Sequence, residues 1–174
     1  MDAAPFLVDV GRALKAVPLA AVLGNAGAAL QGAPMTTVDF NFLFRRTPRN
    51  LQKLKQFATR LGATVLRPYY PVSYMFRVVR DDGLQADCMG TVHGLRSFEG
   101  VRARATMVSI DGVTIAVASL DDIIRSKRAA GRPQDVAVAT VLEKTGARSK
   151  HTRPIPEPAP ATRRPAARKR PRTR

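Results

Sequence analysis

Three oxygen-bearing side chains stand out for their type and spacing. Asp39 and Asn41 lie two residues apart in the run TTVDFNFLF, Thr36 to Phe44, and Asp87 lies in the later apolar run LQADCMG. Side chains on a strand alternate between faces, so Thr37, Asp39, Asn41 and Leu43 share one face while Val38, Phe40, Phe42 and Phe44 share the other. If the strand holding Asp87 pairs beside the first, the three groups form a hard oxygen-ligand set of the kind that holds Mg²⁺ with waters and substrate phosphates. That spacing permits phosphoryl chemistry. The competing reading is a half-exposed strand face on which one Asp and one Asn carry no function. The preceding stretch VLGNAG favours the first, because a buried strand ending at Gly24 opens a helix there. Small residues at such a turn let backbone N–H groups approach a phosphate at the helix's positive end.

Positioning these groups requires a sheet with helices around it, and the chain carries that pattern. Phe6 to Val17 reads as an amphipathic helix, and Pro18 starts the apolar run PLAAVLG, a buried strand. A short Ala-rich helix, NAGAALQG, follows and is closed by Pro34, after which TTVDFNFLF forms the second strand. Pro48 opens RNLQKLKQFATRLG, where Leu51, Leu54, Phe57, Ala58 and Leu61 share one helical face and Gly62 stops the helix. The runs ATVLRPY, SYMFRVVR and LQADCMG read as strands, separated by Pro71 and by the turn signal Asp82-Gly83. In ATMVSIDGVTIAVA, Asp111-Gly112 joins two apolar runs as a two-residue hairpin turn, since both residues tolerate positive φ. Ser119 precedes LDDIIRSKRAAG, with acids in the first turn and bases in the last, and Arg132-Pro133 opens a final helix, QDVAVATVLEKTG. Without an internal repeat, strands mixed with helices indicate a mixed-sheet α/β or α+β domain.

The chain has 174 residues, 45% of them hydrophobic, which is enough for one domain with its own core. After about Ala147 the composition changes to RSKHTRPIPEPAPATRRPAARKRPRTR, rich in proline and nearly devoid of large apolar side chains. Residues 148–174 are therefore expected to form a disordered basic tail on a domain of residues 1–147. The formal charge is +16; from His151 onward eight Lys/Arg face Glu157 alone, and residues 1–150 hold 21 bases against 12 acids. Such a balance attracts polyanions, and the tail reads either as an arm gripping phosphates or as a solubilising extension. Cys88 is the only cysteine, which excludes an intrachain disulfide and a multi-cysteine zinc site and fits a reducing cytoplasm. The N-terminus lacks a basic leader and no apolar run approaches the roughly 18 residues that span a bilayer, so the expectation is a soluble cytoplasmic protein with no membrane partner. Tyr69, Tyr70, Tyr74 and Phe76 alternate with apolar neighbours and read as core or cross-strand pairs. His93 reads as a surface residue near a loop, too far along the chain from His151 to suggest a dyad.

Taken in order, VLGNAGAALQGAP, TTVDFNFLF, LQADCMG and LDDIIRSKRAAGRPQD resemble the nucleotidyltransferase superfamily over roughly residues 17–142. The likeness is to the minimal nucleotidyltransferase-like and AbiEii-like proteins of bacterial toxin–antitoxin systems. In that family a Gly-Gly or Gly-Ser turn opens a helix, a strand with Asp-x-Asp follows, a later strand adds a third acid, and a helix ends in a Lys-x-x-x-x-Arg-x-x-Asp-like pattern. The resemblance implies a nucleotidyltransferase-like mixed β-sheet flanked by helices, Mg²⁺ or Mn²⁺ as cofactor and a nucleoside triphosphate as substrate. It places Gly24 and Asn25 in the phosphate-cradling turn, makes Asp39, Asn41 and Asp87 the metal ligands, and makes Asp39 and Asp87 the catalytic carboxylates. Lys127, Arg132 and Asp135 match the last pattern, with Lys127 offsetting charge on the triphosphate. Their alternatives are a solvated lysine at a helix end, and an Arg–Asp pair that only joins two helices.

Two positions depart from the family. Asn25 replaces the usual small residue, although its side chain is able to cap the helix, and Asn41 replaces a carboxylate with a neutral amide. An amide carbonyl still coordinates a hard cation, but the lost negative charge weakens the attraction that supplies most of the affinity. The implied activity is transfer of a nucleoside monophosphate to an RNA or protein acceptor, weakened by Asn41. The alternative is a catalytically degenerate fold that binds nucleotide or RNA, tRNA included, or pairs with a cognate toxin–antitoxin partner. A third reading is a basic nucleic-acid-binding domain worked by the tail.

Overall fold

In the computed structural model the described residues are 4–17, 20–35, 37, 39–66 and 75–151. The elements in chain order are α1 (Ala4–Ala16), β1 (Ala20–Leu23), α2 (Gly24–Ala29), β2 (Asp39–Phe44), α3 (Pro48–Leu61), β3 (Thr64–Leu66) and β4 (Met75–Val79). They continue with β5 (Gln85–Met89), α4 (Phe98–Ala103), β6 (Thr106–Ile110), β7 (Val113–Val117), α5 (Leu120–Ala130) and α6 (Pro133–His151). The seven strands form one sheet in the order β3-β4-β5-β2-β1-β7-β6. Strand β2 runs parallel to β5 and β1 parallel to β7, while the other neighbours are antiparallel. This is the mixed α/β architecture that the alternation of apolar runs indicates.

Both faces of the sheet are covered, which explains why β2 is apolar almost throughout. Phe40, Phe42 and Phe44 are buried on one face with Ala86 and Cys88, against Val10 of α1 and Leu54 and Phe57 of α3. The Phe57 ring meets Phe42 edge-on, 5.9 Å between centroids, the arrangement an aromatic quadrupole favours. Leu23 and Leu43 belong to a second cluster with Val101 of α4, Ile123 of α5 and Leu142 of α6. The face that carries Asp39 and Asn41 is therefore roofed by helices.

Local signals set the element ends. Thr47 caps α3 by accepting from the Asn50 N–H, Pro48 fills its first turn, and Gly62 ends it at φ 63°. Ser119 caps α5 in the same way, accepting from the Asp122 N–H. Asp111 and Gly112 close the β6–β7 hairpin with φ of 50° and 72°. Helix α4 has no counterpart in the sequence reading, because six residues give no usable period; its signal is Ser97, whose hydroxyl accepts from the Gly100 N–H. Helix α6 runs to His151, past the domain end expected at 147. Ala147 to Lys150 are tolerable helix formers, and the first proline that forbids the helix is Pro154. The disorder expected of the tail concerns residues 152–174, which lie outside the described residues, as do Pro18, Thr36, Val38, Tyr69, Tyr70, Pro71 and Tyr74. Phe76 is described, and its ring packs edge-on against Phe44. Among the described residues no helix is long and apolar enough to cross a membrane.

Candidate functional site

Sheet register decides which polar side chains meet. The parallel pairing of β2 with β5 sets Asp39 opposite Gln85 and Asn41 opposite Asp87. The antiparallel pairing of β4 with β5 sets Arg77 opposite the same Asp87. Register partners share a face, so Asp39, Asn41, Asp87 and Arg77 lie on one side of the sheet. Arg77 grips Asp87 with a planar fork, Nε to Oδ1 at 2.8 Å and Nη2 to Oδ2 at 2.9 Å, the bidentate geometry that makes such pairs strong. The Asp87 side chain is 13% exposed and that of Arg77 39%. The hydrogen bond that Arg77 donates to Asp87 raises the Arg77 pKa against the opposing effect of burial, and the negative charges of Asp87 and Asp39 add to the rise. Asp39 is exposed at the start of β2, where its N–H donates to Thr37 Oγ1.

Gly24 begins α2 at φ 66°, and a Cβ added there would stand 2.9 Å from Asn41 Nδ2. Positive φ and the close approach both require glycine, so the β1–α2 turn presses its backbone onto the Asn41 side chain. Asn25 does not cap α2 as its residue type allows. The cap is Leu23 with no side-chain hydrogen bond, and Asn25 Oδ1 is buried without a hydrogen-bond partner among the described residues. Asn25 stands one residue inside the helix, where its side chain no longer reaches the orphan N–H groups from the cap position.

A cavity of about 360 Å³ opens over this face. Leu23, Gly24, Asn41, Met75 and Met89 form its sheet side, Thr91 to His93 contribute from the loop after β5, and Ile123, Ser126 and Lys127 of α5, Arg132 of the α5–α6 connection and Asp135 of α6 line the rest. Lys127 Nζ donates to Asp135 Oδ1 at 3.2 Å, and Arg132 Nε donates to Oδ2 of the same carboxylate. Burial alone would push the Asp135 carboxyl up, yet the hydrogen bonds from Arg132 and Lys127 and their charges hold it below the usual carboxylate range. Lys127 is only 12% exposed, so it is not a solvated helix-end lysine. The Arg132–Asp135 and Lys127–Asp135 bonds do join α5 to α6, and all three residues also face the cavity.

Five of the residues singled out in the sequence thus meet at one cavity: Gly24, Asn41, Lys127, Arg132 and Asp135. Asp39 and Asp87 share its sheet face but are not among the lining residues, and neither is Asn25. Sequence reasoning passed over Arg77, Met75 and Met89; His93, read there as a surface residue near a loop, is exposed in the loop after β5 and lines the cavity mouth. The one signal for Arg77 was a cation inside the otherwise apolar strand MFRVV, and its partner follows only from register.

The implied Mg²⁺ or Mn²⁺ has a poor donor set here. Asn41 offers a neutral carbonyl, both Asp87 oxygens are committed to Arg77, and Asp39 alone is an exposed carboxylate. Among the described residues no group of three or more His, Cys, Asp or Glu side chains is placed to hold a metal ion. Mg²⁺ is usually held by one or two carboxylates together with waters and substrate phosphates, and here Asp39 alone offers a carboxylate not engaged by a guanidinium, so these residues as arranged fit such a centre poorly.

No protein-family profile matches the chain, and no curated protein matches it. Solved structures do. The chain superposes on ANT(2″)-Ia in complex with adenylyl-2″-tobramycin with a TM-score of 0.60 at 14% identity, covering 84% of this chain and 91% of that one. A solution structure of the same antibiotic-resistance factor gives 0.56 at 15% identity, over 84% and 91%. A protein from Thermotoga maritima described as a nucleotidyltransferase gives 0.55 at 18% identity, over 83% and 92%. At such low identity the likeness is one of backbone architecture, and it extends over nearly the whole of each neighbour. The chain therefore shares the backbone fold of these structures, one of them described as a nucleotidyltransferase.

Proposed function

We propose that the protein binds a nucleoside triphosphate in the cavity over Asn41 and that metal-dependent nucleotidyl transfer is lost or residual. The observation that carries the reading is the convergence of the Gly24 turn, Asn41 and the Lys127–Asp135–Arg132 system on one cavity of about 360 Å³, a size within the usual range of small-molecule sites. Lys127 and Arg132 supply cationic donors for a phosphate chain, and Met75 and Met89 supply a polarizable apolar wall for a base. The poor donor set at Asn41 and Asp87 is what argues against efficient transfer.

A second reading, Mg²⁺-dependent transfer of a nucleoside monophosphate to an RNA or protein acceptor, is favoured by Asp39, whose exposed carboxylate stands on the same face. Calorimetric titration with ATP tests the first reading, with wild type binding and Lys127→Met binding at least about tenfold more weakly. Incubation with labelled nucleotides, Mg²⁺ or Mn²⁺, and tRNA or bulk protein tests the second. Transfer by wild type overturns the loss of activity; transfer that appears only in Asn41→Asp marks a decayed enzyme. The basic tail and the likeness to toxin–antitoxin proteins support RNA or a cognate partner as a further ligand. RNA affinity that keeps its salt slope after deletion of residues 151–174 removes the tail from that role.

A further inference from the structure

We infer that the Arg77 guanidinium takes the place of a divalent cation on this sheet face, so that a phosphate ligand is held there without metal. The inference rests on the nucleotide-binding reading and names how that site is charged. Two carboxylates, Asp39 and Asp87, stand on the face, separated by the neutral Asn41. Left alone they would carry two negative charges toward a polyanionic ligand, and like charges in a partly buried place repel it. Arg77 reaches them from the next strand, because β4–β5 register puts it directly opposite Asp87. Its Nε and Nη2 take both Asp87 oxygens, and the negative charge of Asp39 acts on the same guanidinium.

The bond pattern excludes shared duty. Each Asp87 oxygen spends one lone pair on the fork, and a cation approaching the remaining pair would meet the fixed positive charge of the guanidinium beside it. The Nη1 end of the guanidinium is not used by Asp87, and the side chain is 39% exposed. Arg77 stands on the same sheet face as the cavity but outside its lining, and that end offers a donor to a phosphate oxygen reaching past Asn41, the role guanidinium groups fill with planar geometry and a charge that does not titrate. Asn41 fits the same scheme, since an amide between Asp39 and Asp87 avoids a third negative charge that one guanidinium could not offset.

The test uses the full chain and two ligands. Mn²⁺ is titrated into the protein without nucleotide and followed by its electron paramagnetic resonance signal, for wild type, Arg77→Met and Arg77→Lys. Wild type and Arg77→Lys are expected to leave the signal of free Mn²⁺ unchanged, whereas Arg77→Met binds at least about tenfold more tightly than wild type and loses that gain when Asp39→Asn is added. ATP is titrated into wild type in EDTA and in excess Mg²⁺, with the same affinity expected in both. Mn²⁺ bound by wild type, or no gain in a folded Arg77→Met, overturns the inference. Should Arg77→Met fail to fold, Mn²⁺ binding by Arg77→Lys or a fall in wild-type ATP affinity in EDTA overturns it equally. Absence of ATP binding in either buffer overturns the nucleotide-binding reading instead, and the Mn²⁺ comparison still decides the role of Arg77.

Discussion

Arg77 and Asp87 face each other across β4 and β5 with both carboxylate oxygens gripped by one guanidinium, at 2.8 and 2.9 Å. Asn41 is the register partner of Asp87 on its other side. Strand β5, between β4 and β2, thus carries an acid flanked by a cation and an amide.

Gly24→Ala should destabilise the protein by about 1–3 kcal/mol, because alanine resists φ of 66° and its methyl would press on Asn41 Nδ2. Urea unfolding of the two proteins measures the difference. A midpoint unchanged from wild type would show that the turn relaxes freely away from Asn41.

Asp135 gives stability a dependence on acid. Burial works against its charge, but Arg132 and Lys127 hold the folded-state carboxyl below its ordinary value, which is about 4 in an unfolded chain. A depressed carboxyl contributes stability that is fully present above the unfolded-state pKa and is lost as pH falls through the folded-state pKa. The stability gap between wild type and Asp135→Asn should be widest near neutral pH and shrink below about pH 4. A gap that stays constant from neutrality to about pH 3 contradicts this.

Arg132 is 66% exposed, so its contribution to ligand binding is open to screening. Arg132→Ala should lower ATP affinity about five- to tenfold at low salt, with the difference fading toward molar salt. Thermal stability should barely move, since Lys127 still pairs with Asp135. An affinity loss that ignores salt would place Arg132 outside the phosphate site.

Cys88 is buried in the phenylalanine core, and burial together with the nearby Asp87 charge pushes its thiol up to about 12. The thiolate is the reactive species. Native protein at mildly alkaline pH should therefore stay unmodified by iodoacetamide over hours, and full modification should follow denaturation, as read by intact mass. Rapid labelling of the native chain would mean that β5 opens readily.

Much of the fold was legible because its signals are local. Thr47-Pro48 and Gly62 bracket α3, Asp111-Gly112 closes a hairpin with both φ positive, and the alternation in DFNFLF separates Phe40, Phe42 and Phe44 from Asp39 and Asn41. Each depends on a few neighbouring residues, so steric preference and period suffice to read it. Helix α4 escaped because six residues carry too little pattern. The end of α6 escaped because composition changes before helix-forming ability does. At the site, Lys127, Arg132 and Asp135 stood out through the family resemblance, yet whether that lysine faced water or Asp135 depended on how α5 turns into α6.

The sequence by itself determined which side chains share a strand or helix face, and with them the order of every element but α4 and the polar set apart from Arg77. Only the tertiary structure decided that β5 lies between β2 and β4, that Asp87 is thereby shared between Asn41 and Arg77, and that α5 and α6 close a cavity over Asn41. The physical reason is that strand pairing is non-local. Arg77 and Asp87 face each other across the local Asp82-Gly83 turn, whereas the β2–β5 pairing that brings Asn41 to Asp87 joins strands far apart in the chain; a shift of one residue there would send Asn41 to the opposite face, and no residue near it specifies that register without the packed core.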